Sequence, residues 1–238
     1  MPEHAARPEG LTSVPSPAIL PAFAARHTVV MAAEAEMDER ELPAELRQAV
    51  ASRRRAYLAG RYCARRALAA LLPGGAELQV GYGPHGAPIW PDGIVGSITH
   101  TGPLASAAVA RATDARGLGI DSERLERFER SPGISRLVML PEEAALGGSE
   151  LSDSLRLPLV FSAKEAIFKC LYPLVGRRFW FEDAVLMSVA LADGSFAARL
   201  TGELAAGIGT ELRFHGRFAF DAECVHTAVW LDAPAQVG

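Results

Sequence analysis

Lysine is almost missing from this 238-residue sequence. Of its 24 lysine and arginine side chains only two are lysine, Lys164 and Lys169, and they stand in one short segment. Drift toward arginine accounts for the other 22. It does not account for two lysines five residues apart, whereas a site that needs a compact, titratable ammonium does. Cysteine is scarce as well. Cys63, Cys170 and Cys224 are odd in number and far apart, which excludes a disulfide scaffold and suits a reducing compartment. No His/Cys cluster at zinc spacing is visible. No run reaches the roughly 18 apolar residues of a membrane helix. The N-terminus lacks a basic start followed by an apolar core, so no secretory signal is predicted and a cytoplasmic location is expected. A positive excess is absent too, since the net charge is −4, which excludes a globally basic nucleic-acid binder. There is no glycine-rich phosphate loop of the usual kinds. The Gly96-Ser97 segment lacks the second glycine of a nucleophile elbow.

What remains is ample for a globular fold, with 49% hydrophobic residues and a length suited to one large or two small domains. Five prolines in residues 1–22 predict a loose arm. Helical spacing of Leu46, Val50, Tyr57, Ala64, Leu68 and Leu71 predicts a helix from Pro43 to Leu72. Short strands are predicted at Ile94–Thr99, Leu104–Ala110 and Leu118–Glu123, then a short helix after Pro141. A second long helix is predicted from Pro158 to Tyr172, closed by Pro173. The tail predicts an antiparallel meander near 182–191, 196–201, 210–214 and 217–231, with turns at Asp193-Gly194 and His215-Gly216. Helix-then-strands occurs twice, which predicts an α+β protein of two halves, residues 23–113 and 114–238.

Four groups of residues could carry chemistry. In Gly119-Ile120-Asp121-Ser122-Glu123 the two acids lie two apart on a strand and share a face. Such a pair repels unless a cation or proton lies between, and oxygen ligands favour Mg²⁺ or Mn²⁺. The plain alternative is a strand running out into solvent. Glu165 and Lys169 stand i, i+4 on a helix face flanked by Phe161, Phe168 and Tyr172; the alternative there is an ordinary surface salt bridge. From Leu46 to Ala76 the chain carries seven arginines and no acid. Arg61 falls on the apolar face and wants an anion, such as a phosphate, unless the arginines merely snorkel. Finally, a strand ends at Ser97, Thr99 and His100, and strand ends commonly face ligand crevices, although a lone histidine is more often structural.

Together these segments resemble the 4′-phosphopantetheinyl transferases, in their larger, monomeric, two-halved branch that includes the enterobactin-type enzymes. The resemblance rests on GRYCARRAL (60–68), PIWPDGIVGSITHTG (88–102), LGIDSE (118–123) and FSAKEAIFKCLYPLVGRRFWFEDA (161–184). It implies two similar α/β halves related by a pseudo-twofold axis, with the active site at their interface. It implies Mg²⁺-dependent transfer of phosphopantetheine from coenzyme A to a serine of an apo acyl, peptidyl or aryl carrier protein, leaving adenosine 3′,5′-bisphosphate. Carried over by position, Asp121, Glu123 and Glu165 hold the metal (Mn²⁺ in place of Mg²⁺ is also expected to fit), and Glu165 serves as base. Lys169 neutralises the departing bisphosphate, assisted by Lys164. His100, with Ser97 or Thr99, contacts coenzyme A phosphate, and Arg53 and Arg61 clamp its 3′-phosphate. His85 stands where relatives often carry Lys or Arg, which would make a phosphate contact there pH-dependent. Ser122 is a weak ligand, so a water would complete the metal shell. No nucleic-acid or membrane partner is expected, and a monomer is. The alternative is a hydrolytic or non-catalytic relative that binds coenzyme A or an acidic carrier.

Overall fold

The computed structural model describes residues 8–130, 133, 135–202, 204–205 and 214–233. Its first sheet has four antiparallel strands in the order β1-β2-β6-β5, from Leu11–Ser13, Ala25–Met31, Leu104–Arg111 and Ile94–Thr101. Two short strands, β3 (Gly81–Tyr82) and β4 (Pro88–Ile89), form a separate ribbon. The second sheet has five antiparallel strands in the order β7-β11-β10-β9-β8, from Ala115–Arg124, Cys224–Asp232, Phe214–Phe220, Ser195–Leu200 and Ala184–Ala190. Each sheet carries one long helix. Helix α1 (Ala51–Leu71) packs on the first through Ala59, Cys63 and Ala64, and α4 (Asp153–Val175) on the second through Ala163, Ala166 and Ile167. Short helices α2 (Glu126–Glu129) and α3 (Ser135–Val138) lie between. Among the described residues no helix is long and apolar enough to cross a membrane.

Several boundaries differ from those the sequence predicts. The first long helix starts at Ala51 rather than Pro43. Ala44–Leu46 forms a separate 3₁₀ turn and Val50 is extended, because Leu42 and Leu46 fold back onto Leu58. Residues 11–22, expected to be loose, are packed: β1 pairs with β2, and Ile19 is buried against Leu118 and Ile120. Residues 1–7 of the expected arm lie outside the described residues. Pro173 stands inside α4, which ends only where Gly176 turns left-handed at φ 68°; a proline near a helix end forfeits one bond without closing the helix. His215-Gly216, read as a turn, is mid-strand in β10. Gly216 is there because a Cβ would lie 2.6 Å from the Phe196 carbonyl of β9. The turn sits at Asp221, whose Oδ1 accepts from the backbone N–H of Glu223 and Cys224. Residues 210–213 of the expected strand lie outside the described residues.

The halves meet along β5 and β7, and the seam is sewn by side chains. The backbone N–H groups of Ile120, Ser122 and Arg124 donate to the hydroxyls of Ser97, Thr99 and Thr101 at 3.0, 3.2 and 3.4 Å. Three hydroxyls at every second residue of β5 therefore satisfy alternate amides of β7, since one face of a strand presents every second side chain. On its other side β7 lies almost flush with α4. A Cβ at Gly119 would overlap the Ala166 carbonyl, and one at Gly117 would lie 2.8 Å from the Cys170 carbonyl. Glycine thus lets α4 approach the very strand that carries Asp121 and Glu123.

Candidate active site

Where the seam and α4 converge, five ionisable side chains gather. Asp121 Oδ1 accepts from Lys169 Nζ at 2.6 Å and from Thr99 Oγ1 at 3.0 Å. Lys169 also donates to the Ile120 carbonyl at 3.3 Å. Glu123 Oε1 accepts from Arg127 Nη1 at 2.7 Å, and that guanidinium lies over the Phe161 ring at 4.9 Å. Glu165, half-buried on the turn of α4 before Lys169, has no hydrogen-bond partner among the described residues.

Asp121 and Glu123 are each paired with a cation through one oxygen, but the second oxygen of each is left over. Asp121 Oδ2 and Glu123 Oε2 are both buried without a hydrogen-bond partner. Two orphaned carboxylate oxygens in one place are costly and fit a hard, oxygen-seeking divalent ion. Burial, then the charge of Asp121, pushes Glu123 up to about 7 against the pull of Arg127. Burial likewise raises Glu165, with Lys169 drawing it back. Donor atoms all within 4.8 Å of one another occur in a different set, Asp221, Cys224 and His226. Asp121, Glu123 and Glu165 do not form such a group among the described residues.

The shift at Glu123 sets a stability window. The folded protein keeps this proton up to about pH 7, whereas an unfolded chain releases it near the ordinary 4.5. Raising pH through that window therefore destabilises the metal-free protein, by at most about 3 kcal/mol. Denaturant unfolding in chelator at pH 5 and pH 8 should show this loss in the wild type, with a clearly smaller loss in Glu123→Gln. Equal pH slopes in both proteins would remove the assignment.

A cleft of about 210 Å³ opens beside these groups, lined from both halves by His85, Ser97, Ile98, Phe168, Lys169, Tyr172 and Arg178. His85 is exposed and holds φ 57°, an uncommon left-handed conformation for a non-glycine residue. Arg53 is exposed near Gly86. The imidazole of His100, at the end of β5, is lowered by partial desolvation and by the charges of Lys169 and Arg53. His85 thus lines the cleft, Arg53 lies beside Gly86 of its wall, and His100 is close enough to Lys169 and Arg53 to feel their charges.

Four residues expected to touch coenzyme A are engaged by other groups of the chain, although Ser97 also lines the cleft. Arg61 is buried, donates to the Gly81 carbonyl at 2.8 Å and stacks over Tyr57, pinning β3 to α1. Lys164 is buried deeply, because its Nζ donates to Glu143 Oε2 and to the Val138 carbonyl, each at 2.8 Å. Ser97 and Thr99 are buried, with their hydroxyls bonded into the seam. The arginine run of α1 is also less bare than its sequence, since Arg54 pairs with Glu39 and Arg65 with Glu41.

The structure adds two residues that the sequence reading passed over. Arg127 steadies Glu123, and its i, i+4 spacing was the available signal. Glu143 is the buried counter-ion of Lys164 and had no signal, being 21 residues away.

Comparison with known proteins agrees with this picture. The profile of the 4′-phosphopantetheinyl transferase N-terminal domain matches residues 40–110, and that of the 4′-phosphopantetheinyl transferase superfamily matches residues 117–217. The chain is 41% identical over 201 residues to 4′-phosphopantetheinyl transferase Svp of Streptomyces mobaraensis, covering 82% of this chain and 79% of that protein. It is 36% identical over 200 residues to 4′-phosphopantetheinyl transferase Npt of Nocardia iowensis, covering 79% and 87%. Enterobactin synthase component D of Escherichia coli is 35% identical over 127 residues, covering 53% and 58%.

Proposed function

Because this chain belongs to the 4′-phosphopantetheinyl transferase family, we propose that it moves the phosphopantetheine of coenzyme A onto a serine hydroxyl of an apo acyl, peptidyl or aryl carrier protein. The observation that carries this reading is the pair of orphaned carboxylate oxygens on Asp121 and Glu123, with Asp121 bonded to Lys169, which lines a cleft built by both halves. Phosphoryl transfer from a pyrophosphate needs positioning and charge neutralisation more than covalent help.

Asp121, Glu123 and Glu165 would hold Mg²⁺, and Mn²⁺ would suit the same all-oxygen set. When bound, the ion supplies Lewis-acid neutralisation of the pyrophosphate. Glu165 takes the proton of the carrier serine as its oxygen bonds to the β-phosphorus, and the bond to the bisphosphate breaks. Burial favours this role by raising the carboxyl toward neutral pH. Lys169 meets the charge that collects on the departing adenosine 3′,5′-bisphosphate. Arg53, His85 and His100 face the coenzyme A phosphates. Thr99 and Arg127 act through Asp121 and Glu123 by holding each carboxylate at one oxygen and leaving the other free.

The boundary between halves falls between β6 and β7, at residues 112–114. The three cysteines are all free and buried, which fits a reducing, cytoplasmic setting.

The deciding experiment is intact-mass analysis of an apo carrier domain incubated with the protein, coenzyme A and Mg²⁺. The carrier should gain one phosphopantetheine, and chelator should abolish the gain. Coenzyme A breakdown with no carrier present and no carrier labelling would point to the hydrolytic alternative instead.

A further inference from the structure

Behind the catalytic strand lies a second cluster of donors that the transfer reaction does not use. Cys224 and His226 stand two apart on β11, opposite Arg124 and Ser122 of β7. They therefore share the face turned away from α4. Asp221, at the β10–β11 turn, completes the group. Its Oδ2 lies 3.0 Å from His226 Nε2, and the donor atoms of Asp221, Cys224 and His226 all lie within 4.8 Å of one another. Cys224 and His226 are buried and Asp221 is exposed.

We propose that Asp221, Cys224 and His226 form a binding site for a zinc-class transition-metal ion, separate from the catalytic acids. One oxygen, one sulfur and one imidazole nitrogen make a ligand set suited to Zn²⁺. A tetrahedral ion with bonds of about 2.0–2.3 Å requires donor separations of about 3.3–3.8 Å, which small side-chain shifts reach from 3.0 Å between Asp221 and His226 and at most 4.8 Å within the set. The imidazole is already oriented for the task. With Nε2 on the ion, Nδ1–H donates to Ser122 Oγ, now 2.8 Å away, the outer contact that metal-bound histidines usually make. A cavity of about 630 Å³, bordered by all three ligands and by Arg26 and Arg124, gives the ion an entry path and leaves its fourth position open. The charges also balance. Binding releases the thiol proton of Cys224 to solvent, and Zn²⁺ with one thiolate and one carboxylate is neutral, so the nearby Arg26 and Arg124 do not repel it. The ion would tie the β10–β11 turn through His226 and Ser122 to the strand holding Asp121 and Glu123.

Co²⁺ serves as the spectroscopic probe, added to the full-length protein in excess Mg²⁺ so that the catalytic acids are occupied. One equivalent should produce thiolate-to-cobalt charge-transfer absorption, which Zn²⁺ bleaches. The absorption should vanish in Cys224→Ala and fall sharply in His226→Ala, while carrier labelling by Cys224→Ala stays near wild type. In the wild type alone, stoichiometric Zn²⁺ should raise the melting temperature by several degrees, and chelator should reverse this. Absence of both the absorption and the melting shift in the wild type overturns the site, as does absorption that survives in Cys224→Ala. Neither readout depends on transferase activity, so failure here leaves the catalytic reading standing.

Discussion

Replacing Glu165 by Gln should lower kcat for carrier labelling by about 10²- to 10⁴-fold, the usual worth of a positioned general base, while the fold stays intact. Glu165 and Lys169 lie one turn apart on α4, yet Lys169 reaches across to Asp121 at 2.6 Å. The Glu165 carboxylate is left half-buried and without a hydrogen-bond partner among the described residues, bordering a pocket of about 220 Å³ walled by Phe168, Phe179 and Phe181. Glutamine copies its shape, leaves no native bond broken and cannot accept a proton. The loss should therefore fall on kcat, with the KM for coenzyme A little changed. The acid limb of the pH–rate profile, governed by a carboxyl that burial has raised, should go with it. Raised Mg²⁺ separates the two roles of this residue, because it restores a lost ligand but not a lost base. Wild-type labelling by the variant would end the assignment.

Replacing Lys164 by Met should unfold the protein more readily, by about 3–5 kcal/mol, rather than weaken coenzyme A binding. Its ammonium and the Glu143 carboxylate are both buried at 2.8 Å. Glu143 also accepts from the backbone N–H of Leu140 at 2.8 Å and of Leu186 at 2.9 Å. One carboxylate thus joins α4 to the segment after α3 and to β8. Removing only the lysine leaves that carboxylate buried without its cation. Lys164→Met combined with Glu143→Gln should recover part of the loss, since the buried charge is gone and the amide oxygen still accepts from one of the two backbone N–H groups, while the NH2 faces the other. Denaturant unfolding of the three proteins measures the effect. Unchanged stability with a raised KM for coenzyme A would return Lys164 to the active site.

The chemistry-bearing residues were legible because spacing alone puts them on common faces. Asp121 and Glu123 stand two apart on a strand, and Glu165 and Lys169 stand four apart on a helix. Strand segments and the long α4 were legible for the same reason. Helix limits were less so: the hydrophobic period runs on through Leu46, and only its packing on Leu58 shows that the chain has turned. Gly216 read as a turn because a glycine beside a polar residue does so locally. Its cause is the close approach of Phe196 on a strand 20 residues away.

The two lysines show where sequence ends and tertiary structure begins. Sequence by itself determined that two ammonium groups sit on one helix beside Glu165, that an acid pair faces one side of a strand, and that these patterns match one family. It could not say which lysine faces the acids. Helical geometry turns residues five apart by well over a quarter of a circle, and the two surroundings are supplied by distant segments. Lys169 meets Asp121 on β7, and Lys164 meets Glu143 beyond α3. The same holds for Ser97, Thr99 and Arg61. Their hydrogen-bonding capacity was plain in the sequence, but whether it serves a ligand or the fold was decided by contacts from the β5–β7 seam and from Gly81. Residue type and local period fix what a side chain can do, and the long-range partners that fix what it does exist only once the chain has folded.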